Sequence, residues 1–569
     1  MNGLSAAIQF AVKEQLDSIN KKLNCVCNYG KYLLERRIHG RYYKMILLFY
    51  NMFSQTVDIN GKETKMGVTF ATVKRKKFLL EKLLVTGYAA EGKSVARQDG
   101  KVYFIEGAVP GDVVDVFIST NKKDWGEGKA THIHEYSAER TTPFCQHFGV
   151  CGGCKWQMLP YEKQLEYKQQ EVAQNLKRIG KTPLPEILPI IGAVDTIHYR
   201  NKLEFTFSNK RYLTSEEIKT LAPPLPKEGS LEQSESENLS TIEMSHGQKK
   251  FGDSWSDGAL GFHVPRIFDK IIEIDTCYLM DDVNNTIRNT IRNFAKENNY
   301  SYYDIKQHSG WLRNIIIRYC TTGELMVNIC LGYEDETETK KLLNHLLQKV
   351  PSITTLLFTI NTKWNDTIYD LLPQTYYGKG FVTEMLEEFK FKIGPKSFFQ
   401  TNTKQAEKLY TVTKEFAQLT GKEIVYDLYC GTGSIGIFLS KGAKKIIGVE
   451  AIPEAVEDAR ENAAINNITH AEFFAGDVIK ICNDDFFAQH GKPDVIITDP
   501  PRAGMHQKLV IKLLEIAAPS IVYVSCNTAT QARDIGLLAE KYSVEKIQPV
   551  DMFPHTHHIE CVALLKLKN

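Results

Sequence analysis

The chain lacks any apolar run long enough to cross a bilayer. Its most apolar stretch, Met45–Phe53, is interrupted by Asn51, whereas a spanning helix needs about 20 apolar residues. The N-terminus lacks the basic, apolar and small-residue series of a secretory signal, so none is expected. Cysteine is scarce, 12 in 569 residues. That excludes a disulfide-stapled miniprotein and fits a reducing, cytoplasmic setting with no membrane partner. An excess of one charge is missing too: 70 Lys+Arg stand against 68 Asp+Glu, a net charge of +2. A uniformly basic nucleic-acid coat protein is excluded, but a local basic face is not. What is present is ordinary globular composition, 43% hydrophobic and 24% charged, over a length that implies several domains.

Residues 1–75 form an N-terminal extension of unknown role, with helix-like material at Ala6–Leu23 and the close pair Cys25 and Cys27. In residues 76–137 short alternating segments (Leu83–Tyr88, Lys101–Ile105, Val113–Ile118, Lys129–His134) are separated by Gly and Pro turns. That spacing predicts a small OB-like β-barrel. Residues 138–395 read as a central α+β domain, with helices at Tyr161–Ile179 and Asp282–Asn298 and strands such as Asn314–Tyr319 and Leu325–Cys330. Within it, 213–256 is Ser/Glu-rich and carries Pro223, Pro224 and Pro226, which predicts a disordered insertion.

From 396 to 569 strand and helix alternate. The strands are expected at Glu423–Leu428, Lys445–Glu450, Glu472–Gly476, Val495–Thr498, Ile521–Ser525, Val544–Val550 and Glu560–Lys566. This alternation predicts a Rossmann-like α/β domain with a parallel sheet covered by helices on both faces. The expected fold is multidomain: barrel, α+β domain, then α/β domain.

The first strand of the α/β domain runs into Asp427-Leu428-Tyr429-Cys430-Gly431-Thr432-Gly433-Ser434-Ile435-Gly436. Glycines just past a strand let the backbone turn tightly beside a ligand at a helix N-terminus. The second strand ends in Glu450, an acid placed to bond ribose hydroxyls. Both features suit a dinucleotide equally well. The fourth strand ends in Asp499-Pro500-Pro501-Arg502, a motif that NAD enzymes do not need and that methyltransferases acting on nucleobases often place at this edge.

The fifth strand delivers Cys526-Asn527 to the same edge. Carbon 5 of uracil is a poor nucleophile, and adding a thiolate to carbon 6 makes an enolate whose carbon 5 can attack a methyl donor. A base must then remove the carbon-5 proton, and Glu560 at the start of the last strand is placed for that. Cys430 is a rival nucleophile whose position favours packing. The histidines at 555, 557 and 558 read as a polar loop, with a zinc site as the sharper alternative that lacks evident partner ligands. One cysteine cluster stands apart, Cys145-x5-Cys151-x2-Cys154; by spacing alone zinc and iron–sulfur both remain open.

Together these residues resemble the RNA uracil-5-methyltransferases. The matching pieces are Lys396–Asn402, Asp427–Gly433, Asp499–Gly504, Ser525–Thr528 and Pro554–Glu560. The resemblance implies Cys526 as nucleophile and Glu560 as proton acceptor. It implies S-adenosylmethionine as methyl donor, with contacts from Gln400, Tyr429, Gly431, Glu450 and Asp499 and weaker carry-overs at Ser434 and Asp477. It further implies that the barrel is a TRAM domain that binds RNA. Cys145, Cys151, Cys154 and the distant Cys277 match cysteines that hold a 4Fe–4S cluster. Barrel and cluster together mark the ribosomal-RNA branch, so a uridine in 23S rRNA is the expected target, with transfer RNA as the alternative. No obligate protein partner is expected. A paired uridine must be flipped to meet Cys526; Phe398 and Phe399 are candidates to stack it, and Lys74-Arg75-Lys76-Lys77 to contact phosphate. An amino-methyltransferase built on Asp499-Pro500-Pro501 and a non-catalytic RNA-binding factor are the competing readings.

Overall fold

The structure, a computed structural model, describes residues 78–214, 217–218 and 258–569. The expected helix Ala6–Leu23, the pair Cys25 and Cys27, the basic run Lys74–Lys77 and nearly all of the 213–256 insertion lie outside the described residues. No helix among the described residues is long and apolar enough to cross a membrane.

Five strands, β1 (Phe78–Tyr88), β2 (Ser94–Gln98), β3 (Lys101–Glu106), β4 (Val113–Asn121) and β5 (Trp125–Glu135), form a closed barrel in the order β1-β2-β3-β5-β4. Alternation fills its interior: Val114, Val116 and Ile118 of β4 are buried while Asp115 and Phe117 point outward, the period-two pattern of a strand with one wet face. β2 is the strand that apolar alternation does not reveal, because its inward residues are the small Ser94 and Ala96.

Helix α1 (Tyr161–Asn175), continued by a wider turn over Leu176–Gly180, follows the cysteine-rich loop. A seven-stranded sheet comes next, built from β6 (Lys202–Ser208), β7 (Ala259–His263), β8 (Ile271–Glu273), β9 (Leu312–Tyr319), β10 (Leu325–Leu331), β11 (Thr355–Ile360) and β12 (Gln374–Tyr377), in the order β12-β11-β10-β9-β6-β7-β8. Helices α2 (Val283–Glu297) and α3 (Glu336–Lys349) accompany it. Leu342, Leu343 and Leu346 of α3 share one apolar core with Ile287 and Ile291 of α2. A hairpin, β13 (Val382–Leu386) and β14 (Phe389–Ile393), leads on; its Phe389 and Phe391 pack into the core of the C-terminal sheet.

The C-terminal region carries α4 (Thr403–Ala417), β15 (Ile424–Leu428), α5 (Ser434–Leu439), β16 (Lys445–Glu450), α6 (Pro453–Ile465), β17 (Ala471–Ala475), α7 (Val478–Ile481), α8 (Asp484–His490), β18 (Val495–Thr498), α9 (Gln507–Ile516), β19 (Ser520–Ser525), α10 (Thr528–Leu538), β20 (Tyr542–Val550) and β21 (Glu560–Leu567). Its sheet has the order β17-β16-β15-β18-β19-β21-β20. The first five strands are parallel, as expected, but β21 runs antiparallel between β19 and β20. The reason is the short 551–559 link, which returns the chain directly beside β20 with no helical crossover. Strand order reverses between β15 and β18, and a crevice at such a point beyond the carboxyl ends of the strands is where open α/β sheets bind ligands.

Helix α1 is part of the core of this last sheet. Val172 and Leu176 are fully buried with Tyr426, Ile447 and Ile535. The connection from the cysteine loop is therefore anchored directly on the region that carries Cys526.

Candidate active site

At the end of β15 the chain turns through left-handed conformations at Tyr429 (φ 64°), Gly431 (φ 53°) and Gly433 (φ 76°). A Cβ on Gly433 would also lie 3.0 Å from Ala459 Cβ and Phe473, so both backbone angle and close packing call for glycine. Two carboxylates hold the loop. The Gly436 N–H donates to Asp427 Oδ2 at 2.9 Å. The N–H groups of Gly431 and Ile452 donate to Glu450 at 3.2 and 3.0 Å. Asp427 is buried and its Oδ1 accepts no hydrogen bond; burial pushes its carboxyl up to about 7.

Glu450 and Asp477, at the tips of β16 and β17, both lie within electrostatic reach of Tyr429 at the tip of β15. The exposed Asp477 carboxylate caps α7, accepting from the Ile479 N–H at 2.9 Å. Ser434 Oγ pairs with the Tyr410 hydroxyl at 2.9 Å. The carbonyl of Gln400 accepts from Asn201 Nδ2 at 3.0 Å, which pins the segment leading into α4. Phe398 is exposed and Phe399 is buried, so only the former is open to a base. Cys430 is buried in the sheet core, and a Cβ on Gly448 would fall 2.9 Å from its sulfur; it is a packing residue.

On the reacting side, Cys526 leaves β19 half-buried. Asn527 caps α10, accepting from the N–H groups of Ala529 and Thr530, and its Nδ2 donates to the Arg502 carbonyl at 3.1 Å. Thr530 Oγ1 donates to the same carbonyl at 3.3 Å. This ties the Asp499–Arg502 turn to the cysteine strand, and the Arg502 guanidinium, 3.5 Å from His558 Nδ1, is near enough to lower the Cys526 thiol. Glu560, first residue of β21, is buried beside them.

The charges oppose each other. Burial, then Glu560 and Asp499, push the Cys526 thiol up to about 11, while Arg502 pulls it down. Burial, then Asp499, holds the Glu560 carboxyl well above the usual carboxylate range, again against Arg502. In the free pocket the cysteine is thus a thiol, and the two acids retain protons more tightly than in water. The role of Arg502 was not assigned from sequence, although it closes the Asp-Pro-Pro-Arg motif; only the folded contact shows which group its charge meets.

The 554–558 segment was expected to be a polar loop, but it is a packed junction. His555, at φ 62°, donates its N–H to Gln164 Oε1 at 2.8 Å. Its carbonyl accepts from the N–H groups of Lys155 and Trp156 at 2.8 and 3.1 Å. Burial drives the three imidazoles down, His555 to about 4, His557 to about 3 and His558 to about 4, so they are neutral at pH 7. Sequence analysis missed this because the partners lie almost 400 residues away.

That partner is the cysteine loop. Cys151 and Cys154 are partly buried against the core that contains Cys277. Burial foremost pushes both thiols up to about 12, with Cys277 and Cys145 close enough to add to the effect. Among the described residues, however, no three His, Cys, Asp or Glu side chains form a group that could hold a metal ion, so the expected cluster is not shown.

The strand order, the glycine loop at the reversal and the acid-ended second strand define a class I S-adenosylmethionine-dependent methyltransferase. Comparison with known proteins narrows this. Residues 317–568 match the family model of tRNA (uracil-5-)-methyltransferase. The chain is 50% identical over 483 residues to an uncharacterized RNA methyltransferase of Bacteroides thetaiotaomicron, covering 84% of this chain and 100% of that protein. It is 45% identical to one of Porphyromonas gingivalis, covering 84% and 98%. Among solved structures it resembles Pyrococcus abyssi tRNA (uracil-54, C5)-methyltransferase in complex with S-adenosyl-L-homocysteine, with a TM-score of 0.61 and 25% identity, covering 85% of this chain and 100% of that one. The chain belongs to the RNA uracil-5-methyltransferase family and is an S-adenosylmethionine-dependent RNA methyltransferase.

Proposed function

We propose that this enzyme methylates carbon 5 of a specific uridine in 23S rRNA, with Cys526 as nucleophile and Glu560 as base. The observation that carries the reading is the meeting of Cys526, Arg502, Glu560 and Asp499 at the edge formed by β18, β19 and β21. Cys526, as thiolate, adds to carbon 6 of the flipped uracil. Carbon 5 of the resulting enolate takes the methyl group from the sulfonium of S-adenosylmethionine, leaving S-adenosylhomocysteine. Glu560 accepts the carbon-5 proton, the carbon–sulfur bond breaks, and Cys526 is released. Glu560 must be a carboxylate when the carbon-5 proton leaves, and its raised proton affinity then suits an acceptor. The thiol must first lose its proton to solvent, and the positive sulfonium entering this acidic pocket favours the ionised forms of both Cys526 and Glu560, as Arg502 does. Gln400, Tyr429, Gly431, Glu450 and Asp499 would hold the methyl donor, with Ser434 and Asp477 at its margins.

Cys145, Cys151, Cys154 and Cys277 would ligate a 4Fe–4S cluster. A polynuclear cluster spreads its thiolates more widely than a single ion does, and three half-buried thiols beside the buried Cys277, each in electrostatic reach of the others, suit that donor set. Its role would be structural, pinning the loop that grips His555; methyl transfer needs no redox step. The barrel, as a TRAM-like module, would contact the RNA. Barrel plus cluster cysteines favour ribosomal RNA. The overall likeness to a transfer-RNA enzyme of the same family favours a second reading, 5-methyluridine in tRNA.

Mapping 5-methyluridine across all RNA, with and without the gene, tests both. Loss from one 23S site is the expected result. Loss confined to tRNA would move the assignment to the second reading, and unchanged 5-methyluridine would refute both.

A further inference from the structure

Between the barrel and α1 lies an open groove of about 520 Å³, within the roughly 300–1,000 Å³ range of small-ligand sites. Its two walls differ in chemistry. One is the outer surface of the barrel, where Phe104 and Trp125 meet edge to face with centroids 6.1 Å apart and Trp125 is 38% exposed. The other is a single face of α1, carrying the amides of Gln170, Gln174 and Asn175. Positions 170 and 174 are one turn apart, as are 171 and 175, so they form two neighbouring rows along the helix.

An arginine stands on each side, Arg97 on β2 and Arg178 just beyond α1, and neither makes an ion pair among the described residues. The groove is tied to the segment that follows the reaction centre. Asn175 lines it and donates from Nδ2 to Thr528 Oγ1 at 2.8 Å, and Thr528 follows Cys526 by two residues. Elsewhere on the barrel, Gly92 sits so close to the 554–558 segment that a Cβ there would lie 2.9 Å from His557 Cβ.

We propose that this groove binds an unpaired nucleotide of the RNA strand that flanks the methylated uridine, with its base against Trp125 and Phe104, its edge read by the α1 amides and its phosphate met by Arg97 and Arg178. The physical case is one of matching parts. An unstacked base has two π faces and a hydrogen-bonding edge, and proteins that bind single strands meet them with aromatic rings, amides and cations. A groove for packing alone would have no need of the exposed amides of Gln170 and Gln174 opposite an exposed indole. Glu171 lies on the same helix face, its carboxyl pushed up to about 7 chiefly by burial; near neutrality it can still donate a hydrogen bond to a base acceptor.

The proposal rests on the methyltransferase reading for the direction of the strand, so the test separates the two. Full-length protein is given total RNA from cells lacking the gene, and formation of 5-methyluridine tests the reading itself. Independently, an unpaired RNA oligonucleotide substituted with 5-iodouridine is irradiated on the wild-type protein. The expected crosslink falls in the tryptic peptide Asp124–Lys129, which contains Trp125.

Trp125→Ala and Gln174→Ala should each weaken binding of the same oligonucleotide about tenfold or more. Arg97→Ala should lower the slope of log affinity against log salt by about one. Binding of S-adenosylhomocysteine within twofold of wild type shows that each variant is folded. Crosslinks confined to other peptides, or wild-type RNA affinity in both folded variants, would overturn the groove proposal whether or not methylation occurs.

Discussion

Lys168 Nζ lies 2.7 Å from Asp551 Oδ1, and neither side chain is exposed to solvent. The pair joins α1 to the start of the loop that delivers Glu560. The same carboxylate accepts from the Tyr161 hydroxyl at 2.7 Å and from the Phe553 N–H at 3.0 Å. Burial pulls the lysine's proton affinity down while Asp551 supports it. Such a pair is weak evidence for net stability, since its desolvation offsets much of its attraction, but removing one member leaves a buried charge alone. Lys168→Met should therefore destabilise the protein by about 3–5 kcal/mol. Chemical denaturation of cofactor-free protein measures this; a loss below about 1 kcal/mol would show that the junction is not held as described.

The chemistry at Cys526 is exposed to a direct trap. Cys526→Ala should abolish 5-methyluridine formation. Glu560→Gln leaves addition and methylation possible but removes the acceptor for the carbon-5 proton, so a covalent RNA–protein adduct should accumulate and survive denaturing gels. Full activity of Cys526→Ala would sink the nucleophile assignment, and an active, adduct-free Glu560→Gln would sink that of the base.

Alkylation of Cys526 should report its thiolate. With the thiol pushed up to about 11, iodoacetamide should react slowly at pH 7 and faster as pH rises. Arg502→Ala removes the group that opposes the shift and should slow the reaction further at fixed pH. A cationic analogue of S-adenosylmethionine should speed it relative to neutral S-adenosylhomocysteine. Equal rates with both ligands would remove the sulfonium from the account of activation.

Asp427 gives a pH test that does not depend on turnover. Its carboxyl holds its proton up to about 7 in the folded chain, against an ordinary 3.8. The folded state therefore binds more protons between these values. The stability this adds is fully present below about pH 4 and is lost as pH rises through about 7. Asn keeps an acceptor for the Gly436 N–H and cannot ionise. The Tm of Asp427→Asn minus that of wild type should thus climb from pH 4 to 7 and level off above. A difference independent of pH would mean that the carboxyl is not buried as described.

Anaerobically purified protein should contain about four irons per chain if the four cysteines hold a cluster. Cys151→Ser should lose iron and protect the 553–558 segment less from hydrogen exchange, because Lys155 and Trp156 grip the His555 carbonyl. Stoichiometric zinc without iron would replace the cluster with a different centre.

Much of the fold is legible locally. The seven strands of the C-terminal sheet follow from alternation of strand and helix, and their expected limits fall within two residues of the observed ones. Gly431, Gly433 and Glu450 are recognisable because a tight turn at a strand end demands particular residues at fixed spacing. Barrel strand β2 is not legible, since Ser94 and Ala96 bury too little apolar surface to produce a periodic signal. The antiparallel insertion of β21 is equally hidden, because strand direction depends on the length and path of a link rather than on the strand's own residues.

The site divides along the same line. Residue type and order are enough to nominate Cys526, Glu560 and Asp499, because uracil methylation needs a thiol, a base and a base-binding edge. Only folding decides their charge. The thiol is raised by carboxylates contributed from β18 and β21 and lowered by an arginine held through Asn527. The histidine loop, polar in sequence, becomes a buried junction because Gln164, Lys155 and Lys168 arrive from the far end of the chain. Spacing along a chain can specify a motif, but desolvation and Coulomb interactions depend on distances in space, and those come into being only when remote segments pack.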